Sequence, residues 1–516
     1  TGDKNKSKEV LYGDKVNSLT YSKGLNNQWR SSHFALSLDY QKAFGDHSLA
    51  TSIIYNTESE IGMGQYNTFY RANIMGYLNY AWRQNLVADI VLAANGSNRS
   101  YPEKWAFSPT MSLAYIFAKK EDSPVLNYGK VRGSFGIQHT DYVPIEGIWL
   151  ENYGGGHGNV VFKPSYDGSF WGTYLSYYPL SSFSLETAYK YDIGVDLRLF
   201  KSLDVTADVY YNRRSNIMLS ANDLNSWVVG RPNSYAAKGK VDSYGVELGL
   251  NYVKQFNKDF LLRAGAAFTW GTNEIVDYIE NPSEDYQSRI GQRVSQAQGL
   301  EAIGFFKDEQ DIAKSSVQQF GQVRPGDIKY KDLNGDGVID DYDKCLIGQG
   351  DVPKIYYGFG ADLQLGDFSV GALFAGNAKA DRCLGGNAMY PFNDGSGITN
   401  LFANITDRWS ADNPTNQDVF YPRLHHGNNA NQNNMKTSTW WQKDVSFLRL
   451  KQLTIAYQLP KKLINQTFLK SARIYVMGTN LLTFSKFKLW DPEMGSSNGQ
   501  QYPLSKMLTL GLTVNI

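Results

Sequence analysis

The segment from Asp332 to Asp343 has the spacing of a calcium-binding loop. Carboxylate or amide oxygens occupy loop positions 1, 3, 5, 9 and 12, which are Asp332, Asn334, Asp336, Asp340 and Asp343. Ca²⁺ binds hard oxygen ligands at this spacing, Gly337 at position 6 allows the sharp turn, and Val338 at position 7 would offer its backbone carbonyl. We therefore predict a Ca²⁺ or Mg²⁺ site that stiffens a loop. The alternative is an Asx-rich turn whose side chains bind their own backbone.

A second group of residues is suited to an organic ligand. Five aromatic side chains lie within or near the long segment 139–184: Trp149, Trp171, Tyr174, Tyr177 and Tyr178. Aromatic faces beside amide and hydroxyl groups suit sugars or peptides, so we predict that these residues contact substrate. The alternative is that they belong to membrane-interface girdles or to the cores of loops.

The sequence contains no constellation typical of an enzyme. There is no Gly-rich phosphate loop between a strand and a helix, no nucleophile elbow, and no carboxylate pair that stands out among 50 acidic residues. The six histidines include only one adjacent pair, His425 and His426. The two cysteines, Cys345 and Cys383, allow either one disulfide between loops or two free thiols. The interpretation is a protein without catalytic activity.

The elements that position these residues are long strands with a period of two. From Leu185 to Phe200 the odd positions are mostly apolar, and the same alternation recurs in 203–212, 244–252, 260–270 and 508–516. Such alternation indicates strands with one wet and one apolar face. The runs exceed the ~5–6 residues of most strands, and about 11 residues at a tilt of ~40° cross an apolar band ~25 Å tall. The polar residues predicted to line the wet face are Asp192, Asp196, Arg198, Asp204 and Asp208.

Short and long connections alternate along the chain. Short ones fall near 45–46, 83–84, 201–202, 257–258, 366–367 and 460–461, and the long segments are roughly 139–184, 213–240, 272–353, 378–444 and 481–504. Outer-membrane barrels have short periplasmic turns and long extracellular loops. Counting by this rule predicts about 16 strands, the first near residues 10–22. The fold class predicted is an all-β, transmembrane antiparallel barrel.

Composition agrees with this class without deciding it. The 516 residues have a mean hydropathy of −0.41, and no stretch of ~18 consecutive apolar residues is present, which argues against membrane-spanning helices. Aromatic residues make up 14% of the chain and there are 48 glycines, which suits a wall that is apolar outside and wet inside. A soluble β-rich protein has similar composition, so the length of the strands is the deciding observation. A net charge of +1 gives no reason to expect nucleic-acid binding.

Several segments in the last third of the chain resemble the SusC family of TonB-dependent outer-membrane transporters. They are, in family order, RPGDIKYKDLNGDGVID (324–340) with PKIYYGF (353–359), SFLRLKQLTIAYQLP (446–460), ARIYVMGTNLLTF (472–484) with WDPE (490–493), and YPL (502–504). The motifs cover mainly residues 320–516, and before that the likeness is in the barrel pattern only.

The resemblance implies a larger assembly. It implies a 22-stranded barrel, of which residues 1–516 would be the C-terminal part without the plug and TonB box. It also implies import of an oligosaccharide or peptide, with a SusD-like surface lipoprotein as lid and TonB acting through the N-terminal part. Lipid bilayer and lipopolysaccharide would surround the wall. Because unpaired strand edges in lipid cost several kcal/mol each, we expect the plug and first strands to be present, as another chain. The alternative function is a passive porin or a structural, adhesin-like barrel.

Overall fold

The computed structural model describes residues 29–62, 68–100, 102–145, 147–160, 170–221, 234–386, 389–392, 401–425, 432–464 and 468–516. In chain order the strands are β1 (Arg30–Phe44), β2 (His47–Ile61), β3 (Thr68–Trp82), β4 (Leu86–Ser97), β5 (Trp105–Lys119), β6 (Leu126–Thr140), β7 (Tyr153–Val160), β8 (Phe170–Leu175), β9 (Glu186–Leu199), β10 (Leu203–Ser220), β11 (Tyr235–Gln255), β12 (Phe260–Asp277), β13 (Ala297–Gly299), β14 (Ala302–Phe305), β15 (Val317–Gln318), β16 (Ile328–Tyr330), β17 (Val338–Ile339), β18 (Cys345–Ile347), β19 (Ile355–Leu365), β20 (Phe368–Ala378), β21 (Asp381–Cys383), β22 (Gln442–Asp444), β23 (Phe447–Gln458), β24 (Ser471–Ser485) and β25 (Met507–Asn515). Two short helices, α1 (Glu309–Ala313) and α2 (Lys461–Ile464), and the 3₁₀ turns Asp285–Gln287, Asp341–Asp343, Ala403–Thr406 and Pro492–Met494 complete the elements.

Fifteen of these strands form one antiparallel sheet in the described part of the chain. Its order is β1-β2-β3-β4-β5-β6-β9-β10-β11-β12-β19-β20-β23-β24-β25, so each strand pairs with the sheet strand before it. The predicted all-β antiparallel wall is confirmed, and the predicted number of strands is roughly right. The strand expected near residues 10–22 lies outside the described residues. No helix among the described residues is long and apolar enough to cross a membrane.

The two faces of the sheet differ in polarity. Alternate side chains on one face are large, apolar and exposed, for example Ile193 at 67% and Leu510 at 75%. Leaving such side chains in water is unfavourable by about 25 cal/mol per Å², and apolar surface of this extent marks contact with lipid or protein. The same pattern runs through the sheet at Leu36, Ile53, Leu92, Met111, Val209, Leu248, Phe359 and Ile455.

The connections alternate in length as predicted. Turns at 45–46, 83–85, 200–202 and 366–367 lie at one end of the sheet, and the segments 141–185, 278–354, 379–446 and 486–506 lie at the other. One predicted boundary is wrong: the segment 213–240 is a much shorter connection, because β10 continues to Ser220 and β11 begins at Tyr235. The register shifts between Arg214 and Ile217, and such a bulge reverses the faces of the following residues. The period of two therefore breaks inside the strand.

The main hydrophobic core lies in the connections. Its buried residues come from the segments 278–354, 379–446 and 486–506, which therefore pack against one another. Short strand pairs stiffen these segments, namely β13 with β18, β14 with β16, β15 with β17, and β21 with β22. The core consists of Leu300, Phe305, Ile328, Tyr330, Ile339, Ala380, Leu384, Met389, Trp409, Tyr421, Trp441, Val445 and Phe487. We call these three segments the loop assembly.

Candidate functional site

A cavity of about 450 Å³ lies where the start of β3 meets two connections, at the end of the sheet that carries the long segments. The start of β3 contributes Phe69, the β4–β5 connection contributes Arg99, and the β6–β9 connection contributes Trp149 and Tyr177. Tyr177 is buried and its hydroxyl donates to the carbonyl of Gly147 at 3.3 Å. Trp149 stacks on Phe183 with ring centroids 6.4 Å apart. Two of the five predicted substrate aromatics therefore line one cavity.

The other three predicted aromatics are placed differently. Tyr174 lies on β8 against Gly154 of β7, where a Cβ atom would come within 2.7 Å of the tyrosine ring. Its ring therefore packs between the two strands. Trp171 is also on β8 and pairs with Asn159, although its side chain lies outside the described part of the structure. Tyr178 is half-buried beside Tyr177. Contact of any of the five with substrate stays a prediction.

A second cavity of about 280 Å³ adjoins the first at the turn formed by residues 97–100. Its charged groups include Arg71, Lys104 and Asp141. Arg71 donates to both oxygens of Asp141, at 2.8 and 3.2 Å, and lies 3.4 Å from Glu58. Burial alone would raise the pKa of the Asp141 carboxyl, but hydrogen bonds from Arg71 and Ser97 outweigh burial and lower the pKa. Asp141 is therefore an ionised anchor for this region.

The turn between the two cavities is held firmly. Asn98 exchanges backbone and side-chain hydrogen bonds with Tyr70 and donates from its amide to the carbonyl of Thr68 at 2.8 Å. Ser97 donates to Asp141 at 2.7 Å and accepts from the backbone N–H of Arg99 at 3.1 Å. Local hydrogen bonds of this kind fix the direction in which a side chain leaves the backbone. Arg99 is thus presented from a rigid turn.

Charged side chains on the polar face of the sheet meet around Arg132 of β6. Its guanidinium lies 3.3 Å from Asp192, 3.3 Å from Asp196 and 2.6 Å from Asp208, and Lys130 lies 2.6 Å from Asp196. The three aspartates were predicted on the wet face, and they do lie together there. The network joins three neighbouring strands, β6, β9 and β10. Its two basic side chains neutralise most of the charge of its three aspartates.

Gly194 makes this network geometrically feasible. A Cβ atom at this position would lie 2.7 Å from Cζ of Arg132 and would also clash with the carboxylate of Asp208. The remaining predicted pair, Arg198 and Asp204, forms a separate bridge of 2.6 Å between β9 and β10. Both partners are more than one third exposed, so this bridge is screened by solvent and contributes little to stability.

The loop predicted to bind a cation is tightly hydrogen-bonded to itself. Asp332 accepts from the backbone N–H groups of Gly335 and Gly337 at 2.6 and 2.9 Å, and Asp336 accepts from Val338 at 2.8 Å. Asp343 is fully buried, and its two oxygens accept from the backbone N–H groups of Leu333 and Asp340. Asn334 accepts from the N–H of Asp336 at 3.1 Å.

These contacts are the ones that the Asx-turn alternative requires. Carboxylate and amide oxygens have two lone pairs, so Asp332, Asn334 and Asp336 keep acceptor capacity for a cation. The buried Asp343 serves as a cap. In the part of the chain that the structure describes, no group of three His, Cys, Asp or Glu side chains has the arrangement of a metal site. Cation binding through this loop therefore stays a prediction.

A buried ion pair links two segments of the loop assembly. Asp327 is fully buried and receives hydrogen bonds from Nε and Nη2 of Arg423 at 3.0 and 3.1 Å. The side-chain amide of Asn434 donates to Asp327 at 3.0 Å, and the backbone N–H of Arg324 donates at 2.8 Å. A buried charge is tolerated when it is paired and fully hydrogen-bonded, and Asp327 meets that condition.

The third segment of the loop assembly is tied to the sheet through β23. Arg449, which is 1% exposed, pairs with Asp491, and Lys451 lies 2.7 Å from Glu493. Asp491 also accepts from the backbone N–H of Glu493 at 2.9 Å and so caps the 3₁₀ turn there. Two of the sequence motifs, 446–460 and 490–493, are therefore partners in space.

Both cysteines are free thiols in the structure. Burial raises the pKa of the Cys383 thiol, and burial together with Glu301 raises the pKa of Cys345. Because the thiolate is the reactive form, both groups are poor nucleophiles. Of the two adjacent histidines, His425 is half-buried and His426 lies outside the described residues.

Comparison with known proteins identifies the family. A family model described as "TonB dependent receptor-like, beta-barrel" matches residues 3–481. This range includes the sheet strands from β1 to β23, most of β24 and the first two segments of the loop assembly. The chain belongs to the TonB-dependent receptor-like β-barrel family. Proteins of this family are located in the outer membrane, so the predicted localisation is confirmed. The apolar face of the sheet is accordingly its lipid-facing side.

Curated TonB-dependent receptors align with most of this chain. Receptors P3 and P26 of Formosa agariphila are both 26% identical to it, over 476 and 520 residues. These alignments cover 86% and 92% of this chain but 45% and 49% of the two receptors. The TonB-dependent receptor SusC of Bacteroides thetaiotaomicron is 23% identical over 461 residues, 85% of this chain and 43% of SusC. The chain thus spans about half the length of the curated relatives, and the predicted SusC-like resemblance is confirmed.

Solved structures show the same fold. The RagAB peptide importer in its "open-open" state superimposes with a TM-score of 0.73 at 19% identity, covering 95% of this chain and 55% of that one. The RagAB peptide transporter gives a TM-score of 0.72 over 94% of this chain and 56% of that one. All of these relatives are named as receptors or transporters, which agrees with the interpretation that the TonB-dependent receptor-like chain is not an enzyme.

Sequence reasoning missed the residues that complete the two cavities. Phe69, Arg71 and Arg99 lie at or just beyond the ends of β3 and β4, where the alternating pattern fades. The sequence feature that could have predicted their position is the alternation of the connections: in a TonB-dependent receptor-like wall, every second connection lies at the same end of the sheet. Applying that alternation to the short segment 98–104 would have placed Arg99 at the same end of the sheet as Trp149.

Proposed function

We propose that this chain forms the membrane wall and external loops of a TonB-dependent importer of small organic nutrients, either oligosaccharides or peptides. The observation that carries the proposal is the family match over residues 3–481, which includes most of the sheet and two of the three segments of the loop assembly. SusC and the two Formosa agariphila receptors are named as TonB-dependent receptors, and RagAB is named as a peptide importer. These names support import by the whole protein to which this chain contributes.

The geometry supports capture of cargo at the end of the wall that carries the long connections. The cavities of about 450 and 280 Å³ are close to the size range of small-molecule sites, and they combine aromatic faces with amide, hydroxyl and charged groups. Beyond them, the polar face of the sheet offers hydrated charged groups such as the Arg132 network. In our proposal cargo binds first at the cavities and then passes along this face, with energy supplied by TonB.

The proposal includes partners that the SusC resemblance implies. A SusD-like surface lipoprotein would cover the loop assembly, and a plug with its TonB box, together with the first strands of the barrel, would complete the wall. Exposed apolar side chains on the loop assembly, Val317 at 67% and Ile303 at 53%, support a contact with another protein there. Purification from native outer membranes in mild detergent should retain a lipoprotein, and recovery without any partner would count against this part.

The decisive experiment is energised uptake in the source bacterium. Cells that lack the gene are expected to lose uptake of the labelled nutrient, and re-expression should restore it. Collapse of the proton gradient in wild-type cells should abolish accumulation, because TonB transmits that energy. A passive porin would instead equilibrate its solute at an unchanged rate after the gradient is collapsed, and that result would overturn the proposal.

A further inference from the structure

The cavity of about 450 Å³ contains the guanidinium group of Arg99, and the described acidic group that acts on it at longer range, Asp141, is already paired with Arg71. Arg99 forms no salt bridge with any described residue, whereas Arg71 beside it is paired with both Asp141 and Glu58. The other charged group lining this cavity is Glu151, which accepts a hydrogen bond from the hydroxyl of Tyr153 at 2.8 Å. Arg99 is partly exposed, so a bound anion would take the place of water at its N–H groups. Arg99 therefore has an unused capacity for an anion.

The guanidinium of Arg99 is also held in a fixed plane. Its Cζ atom lies 3.5 Å from the centroid of the Phe69 ring, which is close stacking. Stacking occupies the flat face of a guanidinium and leaves the N–H groups at its edge free to donate. The turn behind Arg99 is fixed by Asn98 and Ser97, so little conformational entropy is lost when a ligand binds.

From this geometry we propose that Arg99, stacked on Phe69, recognises a carboxylate group of the cargo in the cavity formed with Trp149 and Tyr177. Two parallel N–H groups match the two oxygens of a carboxylate, which gives charge-assisted bidentate hydrogen bonds. Trp149 and Tyr177 supply apolar surface for the body of the same ligand. The carboxylate belongs to a uronic acid unit of an oligosaccharide or to the C-terminus of a short peptide. This inference rests on the proposed function, because it names the chemistry of the cargo.

The test is equilibrium binding to the purified protein in detergent, followed by tryptophan fluorescence. Two matched ligand pairs separate the sources: trigalacturonic acid against its methyl ester, and trialanine with a free C-terminus against its C-terminal amide. The acid member of one pair is expected to bind about 10- to 100-fold more tightly than its neutral partner, as for hydrogen bonds to charged groups. The pair that shows the preference identifies the source of the carboxylate.

Variants then assign the preference to Arg99. Arg99→Gln should abolish the difference between acid and neutral ligands, and Arg99→Lys should retain part of it, because the charge stays while the planar fork is lost. Arg83→Gln is the matched control: Arg83 also lies over an aromatic ring, Trp82 at 5.2 Å, but at the opposite end of the sheet and paired with Asp46 at 2.7 Å. This control should keep the full preference. Retention of barrel structure is checked for each variant by circular dichroism.

Two results overturn the inference. One is equal affinity, or no binding, for acid and neutral members of both pairs; the other is an undiminished preference in folded Arg99→Gln. Uptake in cells is measured separately. Either of these two results, together with energised uptake in wild-type cells, would remove the carboxylate inference and leave the import function in place. Loss of energy dependence in wild-type cells would remove the import function, while the binding preference would stand by itself.

Discussion

Gly194 shows how a single residue without a side chain governs a charged network. The space beside its Cα is occupied by Arg132 and by the carboxylate of Asp208, which come from the two neighbouring strands. Three aspartates and two basic side chains fit into one patch of the wall because residue 194 has no side chain. Ion pairs on the wet face of a barrel therefore depend on how closely the side chains can approach the backbone of the strand between them, as well as on their charges.

We expect Gly194→Ala to destabilise the wall by about 1–3 kcal/mol, because the added methyl group forces Arg132 and Asp208 apart. The midpoint of chemical unfolding in detergent, followed by tryptophan fluorescence, would report the change. Gly133→Ala on β6 is the matched control, since a Cβ atom there would meet only a backbone oxygen at 3.7 Å. Equal midpoints for the two variants would contradict this account of the network.

At the cation loop, calorimetry should detect Ca²⁺ binding to the purified protein. Asp336→Ala is expected to weaken it by about tenfold or more, because one charged ligand is lost. Asp341→Ala is the control, since Asp341 pairs with Lys344 at 2.8 Å and is outside the predicted ligand positions. At a concentration 100 times its Kd, the ion would stabilise the folded state by about 2.7 kcal/mol. A wild-type protein that gives no binding heat would leave the loop as a self-capped turn.

Lowering the pH should loosen the turn that carries Arg99. Hydrogen bonds from Arg71 and Ser97 depress the pKa of Asp141 in the folded state. A depressed carboxyl pKa gives stability that is complete above the unfolded value of about 3.9 and is lost as the pH falls through the lower folded pKa. The protection of residues 97–100 against hydrogen exchange, measured relative to the intrinsic exchange rate at each pH, should therefore fall below about pH 4. In Asp141→Asn this pH dependence should be absent, and a wild-type profile flat down to pH 2 would refute the assignment.

Among the elements, the strands were predictable and the order within the connections was not. The sequence around Ile193 predicted both the strand and its lipid-facing side, because a wall between lipid and water imposes one face on every second residue. The bulge after Arg214 interrupts the alternation, so the pattern predicted that the strand ends there, whereas β10 continues to Ser220. Core residues such as Leu300 and Trp441 were assigned only to loops, because their partners lie in other segments.

Within the loop assembly, Asp327→Asn should be strongly destabilising. Removing one partner of a buried ion pair typically costs about 3–5 kcal/mol. Here the remaining charge, Arg423, is 20% exposed, so we expect a loss near the lower end of that range. Limited proteolysis of the purified protein should then cut faster within 278–354 and within 379–446. Asp412→Asn is the control, because Asp412 is exposed and bonds locally with Ser410. Faster cutting in only one of the two segments would show that they are not coupled through Asp327.

At the scale of the whole molecule, the parity of the connections fixes an orientation. The short turns are expected at the periplasmic side and the loop assembly at the cell surface. In a background with Cys345→Ser and Cys383→Ser, Asp412→Cys should react with a membrane-impermeant maleimide on intact cells, and Lys201→Cys should react only after the cells are broken. The opposite labelling would invert the orientation and place the cavities in the periplasm.

The architecture of the wall was predictable because the period and the length of its strands are local properties of the sequence. The contacts that join its outer segments were not predictable. The backbone N–H of Ala302 donates to Thr439 at 2.9 Å across 137 residues of sequence. A contact between residues so far apart in the sequence produces no local sequence pattern, and the composition does not reveal it either. The cavity of about 450 Å³ has the same origin, since Phe69 comes from β3 and Arg99 and Trp149 come from two different connections.

The order of strands in the sheet has a consequence for how the molecule assembles. Every described sheet strand pairs with the sheet strand that precedes it, so growth can proceed one hairpin at a time with little search among alternatives. The widest gaps between paired strands, such as that from β12 to β19, are occupied by segments with their own hydrogen-bonded core. The entropy of closing a flexible loop rises by only about 0.6 kcal/mol for each doubling of its length. We therefore expect the slow step of folding to be consolidation of the loop assembly, with strand pairing rapid on either side of it.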